Sequence, residues 1–250
     1  MSGHSKWHSI KHAKGAADAA RGKLFARLAR QIEVAARQGG GDIEGNPTLR
    51  TMVQKARDAS MPKDNIERAI KRGTGELEGV TYEQVSYEGY APHGVAVYVE
   101  TLTDNRNRTG AEVKNAFTRN GGSLAEPGAV SWQFERKGVI QLEKSATSED
   151  DLMPAALEAG AEDIEDQGDS WQVTTPPTDL HAVRSALEES GIAFTSTDLT
   201  MLPSQTVPLT DASAAKSVLR VIDALEEHDD VQNVYANFDI PDDVLSAVVA

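Results

Sequence analysis

Val-Ser-Tyr-Glu-Gly-Tyr-Ala-Pro-His-Gly-Val-Ala-Val-Tyr-Val-Glu-Thr-Leu, residues 85–102, is where the chain changes its period. Val85 to Tyr90 and Val95 to Leu102 alternate like strands, and the turn-rich Ala91-Pro92-His93-Gly94 joins them, so the stretch predicts a β-hairpin. Upstream of it the signals are helical. From Asp18 to Gln38, Leu24, Leu28, Ile32 and Ala35/Ala36 recur at helical spacing with Phe25 beside them, until Gly39-Gly40-Gly41 stops the helix. A second helix has Asn46 as N-cap and Pro47 at its first position, followed by Leu49, Met52/Val53 and Ala56. A third begins at Pro62, turns Ile66, Ala69 and Ile70 inward, and closes at Gly73 with Lys71 and Arg72 in its last turn. The three predict a small bundle.

Downstream, Thr109 to Asn120 reads as a helix and Val130 to Phe134 as a strand, which gives ββαβ. Next come a strand at Val139–Leu142, a helix at Ser148–Ala159, strands at Asp163–Asp166 and Trp171–Thr174, a helix at Pro177–Ser190 and a strand at Ala193–Thr200. That order, βαββαβ, is ferredoxin-like. A short strand at Thr206–Leu209, a helix at Asp211–Glu227 and a strand at Val231–Phe238 finish the chain. The expected fold is α+β: an N-terminal three-helix bundle over residues 1–79, a discontinuous α/β domain from 80–135 and 203–250, and a ferredoxin-like domain of 136–202 inserted into it.

Charge follows the same division. Residues 1–75 carry 15 Lys and Arg against 7 Asp and Glu, a net of +8, whereas residues 76–250 carry 10 against 32, a net of −22; together they give −14. An acidic protein is repelled by nucleic acid as a whole, so the basic first part either is neutralised by the body or faces a polyanion. The second reading is favoured here. With 39% apolar and 26% charged residues the chain is ordinary for a globular protein, and no apolar run reaches the ~18–20 residues of a membrane span. The absence of cysteine excludes disulfides and thiolate chemistry. A basic, acid-poor start can mimic a transit peptide, but the pattern runs on into a helix, and the expected location is the cytoplasm.

The segment from Gly3 to Lys14 holds Lys6, Lys11 and Lys14 and no acid, with Trp7 able to stack on a base; a tail that Trp7 and Ile10 anchor to a neighbouring domain explains it equally. His4, His8 and His12 fall four apart, but no carboxylate completes a metal set. On a helical wheel Lys23, Arg27, Arg30 and Arg37 lie away from the apolar stripe, and with Lys71 and Arg72 they are candidate phosphate contacts. Arg106 and Arg108, in Asp104-Asn105-Arg106-Asn107-Arg108-Thr109 between a strand and a helix, form a second candidate contact, with Asp104 or Asn107 as N-cap. The acids Glu162, Asp163, Glu165, Asp166 and Asp169 alternate across a strand and do not converge, so they read as a solvated edge. No nucleophile elbow, phosphate-binding loop, H-E-x-x-H or dinucleotide fingerprint occurs, so no catalytic group, metal or cofactor is nominated and a non-enzymatic role is expected.

Gly3-His4-Ser5-Lys6-Trp7, Ile10-Lys11-His12, Gly39-Gly40-Gly41-Asp42, Met61 to Gly73, Tyr87-Glu88-Gly89-Tyr90, Leu102 to Thr109, Asn120-Gly121-Gly122 and Phe134 to Gly138 occur in an order and spacing that closely resemble the YebC/PmpR family. The hairpin tip, Ala91 to Gly94, and His8-Ser9 depart from that pattern. The resemblance implies a helical first domain and two α/β domains. It implies a probable DNA-binding transcriptional regulator; mitochondrial relatives are translational activators of a cytochrome oxidase subunit, and bacterial members have also been assigned a ribosomal role at proline-rich stalls. The expected function is a nucleic-acid-binding regulator of gene expression. The alternative is a ribosome-associated translation factor that binds ribosomal RNA. The resemblance brings no catalytic residues, and no membrane partner or small-molecule substrate is expected.

Overall fold

The computed structural model describes residues 17 to 249. The protein is α+β, with helices first and, after them, two four-stranded antiparallel sheets and one short parallel pair. Helix α1 (Ala17–Gly39), α2 (Pro47–Asp58) and α3 (Lys63–Thr74) bury Leu28, Ile32, Leu49, Val53, Ile66 and Ala69 in one core. Leu24, expected inside, is 43% exposed, and Phe25 packs on the core in its turn. The buried Asn46 joins α1 to α2. Its side-chain oxygen accepts from the Leu49 N–H at 3.1 Å, while Nδ2 donates to the carbonyls of Ala35 and Gly40, each at 2.9 Å. At Gly73, α3 passes so close to α1 that a Cβ would sit 2.4 Å from the Glu33 carbonyl oxygen.

The hairpin forms as the alternation requires: β1 (Glu83–Tyr90) pairs antiparallel with β2 (Ala96–Thr103), Tyr87 opposite Val99. A single 3₁₀ turn, Pro92–Gly94, closes it. Helix α4 (Arg106–Arg119) begins three residues before the expected start because the Asn105 side chain caps it, accepting from the Arg108 N–H. The next strand is not at 130–134. A three-residue β3 (Ser123–Ala125) takes the edge beside β1, and Ser131–Gln133 forms a 3₁₀ turn that leads into β4 (Phe134–Glu143).

From β4 the chain runs through α5 (Glu149–Glu158), β5 (Asp163–Asp166), β6 (Ser170–Thr175), α6 (Leu180–Glu189) and β7 (Ser196–Pro203). These strands make an antiparallel sheet in the order β5-β6-β4-β7, the ferredoxin-like arrangement, over a core that includes Ile140, Leu142, Leu152, Val173 and Leu187. The acids of β5 lie on the sheet edge, where Asp166 meets Lys144 at 2.6 Å and the adjoining Glu162 meets Lys137 at 2.8 Å.

The chain then returns to the first sheet through β8 (Val207–Pro208), α7 (Ala212–Glu226), β9 (Val231–Ala236), β10 (Phe238–Asp239) and α8 (Asp242–Val249). Strand β9 lies beside β2, which completes the order β3-β1-β2-β9. Val97, Val113, Phe117, Val218, Ile222 and Phe238 fill its core. Phe134, Val130 and Ala96 form a smaller cluster, with Tyr98, Met201 and Tyr235 packed on it, where the two sheets meet.

Candidate nucleic-acid interface

Helix α1 puts Lys23, Arg27 and Arg30 on the face away from Ile32, as the wheel predicts, a face that leaves Lys23 exposed and Arg27 and Arg30 half-buried. It lies against the C-terminal end of α7. A helix C-terminus exposes carbonyls without intrahelical partners and carries the negative end of the macrodipole. Lys23 Nζ donates to the Glu227 carbonyl at 3.2 Å, Arg27 to the Glu226 carbonyl and Arg30 to the Asp229 carbonyl. Arg30 also pairs with Asp230 Oδ1 at 3.2 Å and lies over the Tyr82 ring, 5.6 Å from its centroid. Burial lowers the pKa of the Arg27 guanidinium, against the opposing field of Glu226. The three cations of this face therefore all reach backbone carbonyls of residues 226–229 in the same chain.

Asp230 gathers the second candidate contact as well. Arg108 bridges Asp104 at 2.9 Å and Asp230 at 2.7 Å, and the Thr109 hydroxyl donates to Asp230 at 2.6 Å. Burial opposes ionisation of Asp230, but the Thr109 hydroxyl and the Arg108 guanidinium more than offset it and hold the carboxyl below its ordinary range. His228 Nδ1 accepts from the Asp230 N–H at 3.0 Å, while its Nε2 faces Glu112 at 2.7 Å. Around these groups lies an open cavity of about 500 Å³, lined by Arg30, Tyr82, Arg108, Glu112, His228 and Asp230 among others. Its lining sets Asp104, Glu112, Glu227, Asp229 and Asp230 against Arg30 and Arg108.

The remaining candidates separate. Arg37 is exposed but donates to Thr81 Oγ1 at 2.9 Å and reaches Glu33 and the Arg72 carbonyl, each at 3.5 Å. Lys71 and Arg72 project from the last turn of α3, and Arg106 stands in the first turn of α4; all three are exposed, with no side-chain hydrogen bond or ion pair among the described residues. Lys6, Trp7, Lys11 and Lys14, and with them the histidine row, lie outside the described residues.

Two cations that were not singled out belong with the free ones. Arg57 on α2 and Arg68 on α3 are exposed and likewise form no ion pair among the described residues. The signal was present in the sequence. At 100° per residue Arg68, Lys71 and Arg72 share one side of α3, opposite Ile66, Ala69 and Gly73.

Residues 5–76 match the TACO1/YebC protein N-terminal domain, and residues 82–238 match the TACO1/YebC second and third domain. A "Probable transcriptional regulatory protein" of Halothermothrix orenii is 56% identical over 250 residues, covering 99% of each chain. One of the same description from Rubrobacter xylanophilus is 59% identical over 249 residues, again covering 99% of each. The crystal structure of a conserved hypothetical protein from Aquifex aeolicus superposes with a TM-score of 0.81 at 49% identity, covering 93% of this chain and 96% of that one. Family words spread from the helical bundle to the last sheet, at this identity and over this length, place the chain in the TACO1/YebC family.

Proposed function

We propose that this protein is a non-enzymatic, nucleic-acid-binding regulator of gene expression that meets its target with the outer surface of α2 and α3. The observation that carries the reading is the set of exposed cations Arg57, Arg68, Lys71 and Arg72, without an ion pair among the described residues although the charge of Arg72 acts on Glu33, on the helical unit of a protein whose remainder is strongly acidic. Guanidinium and ammonium groups without carboxylate partners are free to exchange counterions for phosphates. The description of the relatives as probable transcriptional regulatory proteins supports a regulatory role. Contacts of this kind are made to the backbone, so binding to duplex DNA is expected to be salt-sensitive and weakly sequence-selective.

A second reading rests on the acidic body. A net charge of −22 over residues 76–250 resists lying along a duplex, yet it is tolerated where basic proteins neighbour RNA, as on a ribosome. Co-sedimentation of the full-length protein with ribosomes, run beside a DNA titration at matched near-physiological salt, separates the two. Stoichiometric pelleting with only weak DNA binding favours a translation factor located in the cytoplasm; tight, selective DNA binding without pelleting favours transcriptional control. Charge reversal at Arg68 and Lys71 abolishes whichever association is found, and unchanged association would rule out this face.

A further inference from the structure

Trp132 is 75% exposed, the most exposed large apolar side chain among the described residues. The loop that carries it is built to stay still. Glu88, only 6% exposed, reaches across from β1, and its carboxylate accepts from the backbone N–H groups of Gly128 at 2.7 Å, Val130 at 2.7 Å and Ser131 at 2.8 Å. The Tyr90 hydroxyl donates to the Ala129 carbonyl at 3.2 Å. Val130 on one side and Phe134 on the other are buried, so the chain is pinned before and after the tryptophan. The Gln133 carbonyl accepts from Ser204, and its side-chain oxygen accepts from Asn237 Nδ2 at 3.1 Å. Burying a carboxylate is costly unless donors meet it, and here they meet it by fixing the backbone around an outward-facing indole.

The indole N–H already donates to the Ala129 carbonyl at 3.1 Å, so a partner is offered the flat faces of the ring rather than a hydrogen bond. Its setting is polar: Ser131 and Gln133 flank it, and Glu135 and Arg136 follow. Among the described residues the other exposed large apolar side chains belong to α1, the 75–82 linker, α5 and β7. A protein-binding hot spot is the centre of a packed apolar cluster. Stacking of a nucleobase needs only one rigid ring. We infer that Trp132 is a stacking platform for an unpaired base of single-stranded nucleic acid, an inference that rests on the nucleic-acid reading above and narrows it, because the bases of an intact duplex present no free face.

Anisotropy titrations of the full-length protein with a labelled mixed-sequence 12-mer, as single-stranded RNA, as single-stranded DNA and as the matched DNA duplex, test this. Trp132→Ala is expected to weaken single-strand binding about tenfold, with Trp132→Phe retaining most of the affinity and duplex binding unchanged. A loss confined to the RNA arm names RNA as the source of the base, and an equal loss in both single-strand arms names the base alone. Unchanged single-strand binding in Trp132→Ala, while Arg68→Glu/Lys71→Glu loses affinity, overturns the inference and leaves the proposed function standing. Equal weakening of duplex and single strands also overturns it, since the ring would then pack on backbone rather than base. Absence of binding by the unaltered protein, or indifference to both variants, overturns the proposed function and the inference together.

Discussion

Glu88 and Asp230 are buried carboxylates, at 6% and 4% exposure, whose ionisation burial opposes and the donors aimed at them favour. For Glu88, burial raises the pKa, but the N–H groups of Gly128, Val130 and Ser131 outweigh it and the carboxyl lies below its ordinary range. Its folded pKa being depressed, its contribution to stability is complete above the unfolded value of about 4.3 and is lost as pH falls through the folded one. Glu88→Gln is therefore expected to cost about 1–3 kcal/mol in urea unfolding at neutral pH, and to flatten the acid limb of the stability curve below about pH 4. Asp230→Asn removes the charge and one of the two acceptor oxygens that serve Arg30, Arg108 and Thr109, and the same sign applies: the loss is largest above the ordinary aspartate pKa of about 3.9 and shrinks below it. A wild-type stability profile in acid that either variant leaves unchanged would refute the corresponding assignment. Neither role was legible in the sequence. Glu88 sits in an alternating strand like any surface residue, and its partners arrive about 40 residues later, so no local period encodes them.

The helices illustrate what a wheel can and cannot give. The inner faces of α1, α2 and α3 follow from spacing alone, because each apolar stripe had to find the other two. The opposite face of α1 has a neighbour that no wheel shows, because outside the bundle is not outside the protein: the end of α7, some 200 residues away, brings carbonyls to it. Strand β3 escaped for another reason, since three residues are too few to show a period and only the neighbouring β1 defines them. Two predictions belong here. Gly73→Ala pushes a methyl group against the Glu33 carbonyl oxygen and the Ala36 side chain, and is expected to cost about 1–3 kcal/mol by forcing α3 from α1. A denaturation midpoint equal to wild type would show that the helices yield freely. Arg27→Ala combined with Arg30→Ala should instead leave every core intact and release α1 from α7. Amide exchange is expected to rise in the first half of α1 and at residues 226–230, with Val97, Val99, Ile140 and Leu142 as protected as before. Unchanged exchange at 226–230 would mean that the contact contributes nothing to holding the two elements together.

Across the whole molecule, the split between a +8 beginning and a −22 remainder has two physical outlets, and the structure uses part of the charge for each. Lys23, Arg27, Arg30 and Arg108 all make contacts inside the chain with the turn of residues 226–230. Arg57, Arg68, Lys71 and Arg72 form no ion pair among the described residues and stay exposed on the helical unit. The difference can be counted in a salt titration. Each phosphate neutralised steepens the fall of log K with log salt by about 0.9 on duplex DNA and about 0.7 on single strands, so four contacts give a slope of about −3. Raising salt from 50 to 200 mM should then weaken binding roughly sixtyfold. Replacing Arg68, Lys71 and Arg72 together by Ala should reduce the slope by about two. Replacing Lys23 by Ala should leave it unchanged, because that ammonium is already committed to the Glu227 carbonyl. A slope that responds to Lys23 and ignores Arg68, Lys71 and Arg72 would reverse the assignment: α1 would have to leave α7 on binding, and the face first suggested by the charge pattern would be the contact after all.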